Sequence, residues 1–146
     1  MNTAEDPIVV EETYAAPLAD VWDALTDVNR MRKWYFADIP AFEAEVGFET
    51  QFTVESGGRT FPHLWKITEV VPPRSITYNW KYGGYPGDSL VSFDLFEADG
   101  GTMLRLTHRV VESFPGDIPE FQRESAVAGW TYFLRESLRK HLEHDD

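Results

Sequence analysis

Four histidines and no cysteine limit the chemistry open to this chain. Thiol nucleophiles, disulfides and thiolate metal sites are excluded. His108 follows Leu104 and Leu106 at a spacing of two, so a strand there turns it to the leucine face. A neutral imidazole on that face can donate to a ligand or accept from it. The plainer reading is a buried His satisfied by a backbone carbonyl or a neighbouring hydroxyl. His63 shares phase with Phe61, Trp65 and Ile67, with an edge or loop-proximal position as its plain alternative. Tyr78 and Trp80 alternate with Thr77, Asn79 and Lys81, and either can present a polar tip to a pocket or pack as core. His141 and His144 lie three apart beside Glu143, Asp145 and Asp146, a spacing that metal ligands sometimes use. A frayed acidic terminus explains them better, because chain ends order poorly. There is no H-E-x-x-H, EF-hand loop, phosphate-binding loop or G-x-S-x-G elbow. No catalytic residue, metal or cofactor is assigned.

These side chains need elements to hold them. Ile8 to Tyr14 reads as a strand. Pro17 suits the first turn of a helix, and Leu18, Val21, Trp22 and Leu25 recur on one apolar face. Thr26 and Asp27 can stop that helix and cap a second, in which Val28, Met31 and Trp34 are spaced by three. Period-two patterns then run through Phe48–Val54, Phe61–Val71, Ile76–Trp80, Val91–Phe96 and Leu104–Val110. Gly57-Gly58 and Asp99-Gly100-Gly101 mark tight turns. Such short connections make neighbouring strands antiparallel. From Glu120 to about Glu143 the spacing predicts one long helix, with Pro119 at its start. Val127, Trp130, Leu134, Leu138 and Leu142 form its stripe, with Phe133 beside it. The order predicts a two-layer α+β arrangement in which the last helix buries its stripe on a curved antiparallel sheet.

Length and composition set the outer bounds. A chain of 146 residues suits one domain, with its core at about residues 8–142. The net charge of −12 argues against nucleic acid and anionic membranes as partners. Residues 1–7 lack a basic segment followed by an apolar run, so no secretory leader is expected. Absence of cysteine fits a cytoplasmic location.

The chain resembles the START-like (SRPBCC, helix-grip) superfamily, and within it the homologues of the C-terminal domain of the heat-shock-protein-90 ATPase activator. The carrying residues are Ala16-Pro17 with Val21-Trp22, Ala24-Leu25-Thr26-Asp27 and Trp34. Then come Val70-Val71-Pro72-Pro73-Arg74 with Tyr78 and Trp80, Gly101-Thr102 with Leu104, Leu106, Thr107 and His108, and Gly129-Trp130 with Leu134 and Leu138. The sequence departs from the commoner pattern at Tyr35-Phe36, where many members have a second Trp and a Gly/Pro-rich segment. It departs again at Glu45-Val46-Gly47, in place of a double Gly. The resemblance implies a cavity between sheet and C-terminal helix for a small hydrophobic or amphipathic molecule, bound without a cofactor. Strand phase and family geometry together give Trp34, Phe52, Trp65, Tyr78, Trp80, His108 and Phe133 as its residues. Two alternatives are an enzyme, such as a cyclase or hydrolase, using His108 or His63 as acid/base, and a chaperone-associated stress-response protein. The oligomeric state is left open.

Overall fold

Six segments of alternating burial build the sheet of the computed structural model, which describes residues 1–143. The strands are β1 (Ile8–Tyr14), β2 (Glu49–Ser56), β3 (Arg59–Val71), β4 (Ser75–Tyr82), β5 (Asp88–Ala98) and β6 (Gly101–Glu112). All pair antiparallel in the order β1-β6-β5-β4-β3-β2. Two short helices, α1 (Leu18–Thr26) and α2 (Val28–Trp34), leave β1 and close one end. A final helical rod lies in the curve of the sheet, and together they form a helix-grip α+β fold. Among the described residues no helix is long and apolar enough to cross a membrane.

The inward face follows from strand phase. Phe61, His63, Trp65 and Ile67 on β3 are buried, as are Ile76, Tyr78 and Trp80 on β4. So are Ser89, Val91, Phe93 and Leu95 on β5, and Thr102, Leu104, Leu106 and His108 on β6. In α1 and α2 the buried residues are Val21, Ala24, Leu25, Met31 and Trp34. The Asp27 carboxylate accepts from the Asn29 N–H and caps α2. Pro17 is the extended N-cap of α1 rather than its first helical residue.

The last element differs from a plain helix beginning at Glu120. Pro119–Phe121 is a 3₁₀ turn, Gln122 is extended, and α3 (Arg123–Thr131) starts only after it. Phe121 explains the break, because its ring is buried among Phe61, Tyr82, Tyr85 and Phe114 and pulls the turn out of line. After α3 the rod widens into a π-helical segment (Tyr132–Ser137) before α4 (Leu138–Glu143). The Tyr14 hydroxyl donates to the Leu134 carbonyl in that segment, at 2.6 Å. Trp130, Leu134 and Leu138 are buried as expected, whereas Val127 is exposed. Over the first turns the small residues Ser125, Ala126 and Gly129 face the sheet instead.

The rod covers the end of the outer edge of β1, where Arg139 donates to the Thr13 carbonyl and to Glu12, and Glu143 accepts from the Ala15 N–H. At the start of β6, Gly101 lies under the end of β1. A Cβ built there would sit 1.8 Å from the Tyr14 carbonyl oxygen. Gly101→Ala is therefore expected to cost about 2–3 kcal/mol in urea denaturation, because backbone rather than a flexible side chain must move. A loss under about 0.5 kcal/mol would contradict this packing.

Candidate functional site

Between β3, β4, β6 and α3 lies a pocket of about 150 Å³ that is partly open to solvent. Phe36, His63, Trp80, Tyr82, His108, Trp130 and Phe133 form most of its wall, with Met1, Glu120, Ser125, Ala126 and Gly129 completing it. Of the residues predicted from sequence, Trp80, His108 and Phe133 border it. Phe52, Trp65 and Tyr78 stand behind the wall: Trp65 packs on Trp80 at 5.1 Å, on Phe52 at 5.0 Å and on Tyr78 at 4.9 Å. Trp34 braces α1, its indole N–H donating to the Ala24 carbonyl at 2.7 Å. Ligand sites are commonly upwards of about 300 Å³, so this cavity is small. An apolar cavity of about 150 Å³ takes one benzene-sized ring.

Two residues absent from the sequence prediction account for the size. Tyr35 and Phe36 follow the last residue of α2, and both turn inward. Tyr35 stacks on Trp34 at 4.5 Å, and its hydroxyl meets that of Tyr78 at 3.0 Å. Phe36 packs on Phe52, His63 and Phe133. The departure from the family pattern thus fills part of the grip with two rings.

The polar groups of the wall are almost fully accounted for. The Trp130 indole N–H can only donate, and it meets His108 Nδ1 at 3.0 Å. His108 Nδ1 is therefore the acceptor and Nε2 carries the proton. Nε2–H donates to Ser89 Oγ at 3.0 Å, and the Ser89 hydroxyl donates to the Trp80 carbonyl at 2.7 Å. This chain of donors joins α3, β6, β5 and β4. Burial, with a smaller contribution from the nearby Met1 amino group, lowers the His108 pKa to about 4. His63 Nδ1–H donates to the Phe61 carbonyl at 2.8 Å. Burial likewise lowers its pKa to about 4, against a smaller opposing effect of that hydrogen bond. Both imidazoles are neutral at pH 7. With both nitrogens committed, His108 is not free to shuttle a proton, so the geometry weighs against its use as an acid/base.

Among the described residues three buried side-chain polar atoms have no hydrogen-bond partner: Trp65 Nε1, Trp80 Nε1 and Glu120 Oε1, the last within 3.9 Å of Arg59. Trp80 and Glu120 belong to the cavity wall. The Trp80 N–H favours the ionised form of the Tyr82 phenol, but burial is stronger and raises that pKa to about 12. Hydrogen-bond geometry between the two is not met. Sequence patterning carries no sign of an unpaired N–H, and Glu120 reads there only as a helix start.

Outside the grip, a larger hollow of about 780 Å³ runs over β2–β4, lined by residues such as Pro40, Gln51, Leu64, Lys66, Asn79 and Lys81. Trp65 is its sole predicted residue. The pocket inside the grip is the better candidate despite its size, because its wall is mainly apolar and aromatic. Among the described residues no cluster of three His, Asp or Glu side chains can hold a metal ion. His141 Nε2 accepts from Arg30 Nε at 3.0 Å, and His144 lies outside the described residues.

The model of the family "Activator of Hsp90 ATPase homolog 1-like protein" matches residues 15–143. The chain belongs to this family. Protein CV1439 from Chromobacterium violaceum is similar over 96% of this chain and 99% of its own, at 22% identity and a TM-score of 0.78. CalU16 from Micromonospora echinospora is 27% identical over 95% of this chain and 77% of its own, with a TM-score of 0.68. The Aha1 dimer from Colwellia psychrerythraea gives 22% identity over 97% of this chain and 99% of that one, with a TM-score of 0.66. No curated protein matches the sequence.

Proposed function

We propose that this family member is a cytoplasmic binding protein that holds one small, amphipathic molecule of single-ring size between sheet and helix, without transforming it. The observation that carries the reading is the cavity wall itself. It is largely apolar and is lined by the aromatic rings of Phe36, Trp80, Trp130 and Phe133. A ligand ring would pack against these rings, while Trp34, Phe52, Trp65 and Tyr78 stiffen the wall behind Trp80 and Phe133. The fold commonly holds small hydrophobic molecules, which supports the same reading. The family description also names an Hsp90 ATPase. A chaperone partner would need an outer surface, and the aromatic wall of the pocket speaks for an inner ligand instead.

Gly129 provides the test. It sits inside α3, where Gly costs about 1 kcal/mol relative to Ala, and a Cβ there would meet nothing within 4 Å. Gly129→Ala is expected to raise the unfolding free energy by about 1 kcal/mol, while Gly129→Leu fills the space. In calorimetric titrations, benzyl alcohol should bind the unaltered protein and should bind Gly129→Leu at least about tenfold more weakly. No binding to the unaltered protein, or equal binding to both, overturns the cavity as a ligand site.

A further inference from the structure

His63 borders the pocket and is only 6% exposed. Its Nδ1–H is committed to the Phe61 carbonyl on the same strand, so Nε2 carries the free lone pair. Among the described residues nothing donates to Nε2, yet it is not one of the three enclosed atoms that lack a partner. It therefore keeps contact with open space, and on the inward face of β3 that space is the pocket. Phe52 lies over the imidazole at 4.9 Å and 23°, and Tyr82 meets it edge-on at 4.8 Å and 81°. These contacts hold the ring plane, and a flipped ring would forfeit the bond to Phe61.

The other polar groups of the wall do not compete for a ligand. His108 is bonded through both nitrogens, one of them to the Trp130 N–H. The Trp80 N–H and Glu120 Oε1 are enclosed, and Glu120 Oε2 accepts from Ser56 at 2.8 Å. Ser125 is exposed to water. Tyr82 pairs with His63 across β3 and β4 and borders the same pocket, and its hydroxyl makes no hydrogen bond among the described residues. The wall thus offers a lone pair at His63 with a hydroxyl on the neighbouring strand. The matching ligand group gives a hydrogen bond without carrying positive charge, because the Met1 amino group already borders the pocket. A hydroxyl meets that need, and it can also accept. A space of about 150 Å³ holds one ring, so the hydroxyl sits directly on it. A phenol near pKa ~10 keeps its proton against an imidazole near about 4.

We infer that the ligand is a phenol, a single ring whose hydroxyl donates to His63 Nε2. His63 is then the group that selects a hydrogen-bond donor, while His108 holds the wall together. This rests on the cavity reading above and deepens it by naming the polar group of the ligand.

Phenol and fluorobenzene have nearly the same shape, and only phenol can donate. In calorimetric titrations at pH 7.5, phenol should bind the unaltered protein about tenfold more tightly than fluorobenzene. His63→Leu should bring that preference down to about twofold or less. Nitrogen resonances of the unaltered protein give a second readout. Saturating phenol should move His63 Nε2 toward its protonated position and leave both His108 nitrogens in place, whereas fluorobenzene should move neither residue in that way. Melting curves establish whether His63→Leu is folded, and if it is not, the Nε2 resonance decides alone. A phenol preference of twofold or less in the unaltered protein overturns the inference. So does an unmoved Nε2 resonance, or an unchanged preference in folded His63→Leu. If fluorobenzene binds as well as phenol, or benzyl alcohol binds and phenol does not, the cavity reading stands and only the His63 assignment falls. If phenol, fluorobenzene and benzyl alcohol all fail to bind, both fall together.

Discussion

Trp130→Ala lowers the unfolding free energy by about 4 kcal/mol, and Trp130→Phe lowers it by about 1–2 kcal/mol. The difference follows from two separate roles of the indole. Its rings pack on Trp80, Phe93 and Phe133 at the seam of α3 and the sheet, and Trp130 is only 4% exposed. Truncation to Ala removes that packing and enlarges the adjoining cavity, which the rigid sheet cannot collapse to fill. A Phe keeps most of the apolar contact but removes the N–H. His108 Nδ1 then stays buried as an acceptor without a donor, and that loss carries the Phe penalty. In a His108→Leu background the acceptor is gone, so Trp130→Phe should become nearly neutral, a coupling of about 1 kcal/mol. Urea denaturation followed by circular dichroism measures the unaltered protein, the two Trp130 variants, His108→Leu and the double variant. A loss under about 1 kcal/mol for Trp130→Ala would mean that the seam does not depend on this ring.

Strand phase alone locates His108, because a two-residue period fixes which face a side chain takes and nothing local competes with it. The same argument places Trp80 and Tyr78 inward. It does not reach the partner of each polar tip, which comes from other elements: Ser89 from β5 and Trp130 from α3 meet His108, and Tyr35 meets Tyr78. Tyr35 and Phe36 are illegible for a related reason. Consecutive residues on a helix point about 100° apart, so a continued α2 would expose one of them. The helix instead ends at Trp34, and the chain turns both rings into the grip.

The rod after residue 118 shows the limits of helical spacing. A spacing of four from Trp130 to Leu134 to Leu138 drifts by about 40° per step on an ordinary α-helix. The π-helical segment has more residues per turn and holds these three side chains on one line, which leaves Val127 outside it. Glu120 is decided by its neighbour. Burial of Phe121 forces the 3₁₀ turn, and that turn swings the carboxylate over the β2–β3 hairpin to Ser56. Gly129 is readable as a motif with Trp130. Its physical meaning, a helix that gives up stability to keep a space open, emerges only when the opposite wall is in place.

Acidification destabilises the fold well before most carboxylates are protonated. His63 and His108 bind protons near pH 6.5 when the chain is unfolded but only near pH 4 when it is folded. Above about pH 6.5 both states hold neutral imidazoles and no penalty exists. As pH falls from there toward 4, the unfolded chain takes up protons that the folded chain cannot, and stability falls with pH. At full effect the slope is about 3 kcal/mol per pH unit for the two groups together. Protonation of His108 also puts a second N–H against the Trp130 donor, so the hydrogen-bond chain from α3 to β4 breaks at that point. His63 meets no such conflict; it is disfavoured by burial among Phe52, Trp80 and Tyr82. Urea denaturation at pH 7.5, 6.0 and 5.0 should therefore show a progressive loss, and His108→Gln should roughly halve it. Proton resonances of the two folded-state imidazoles should stay in their neutral positions down to about pH 5. A stability that is flat between pH 7.5 and 5.0, or an imidazole of either residue titrating near 6.5 in the folded protein, would show that these groups are not sealed in the grip.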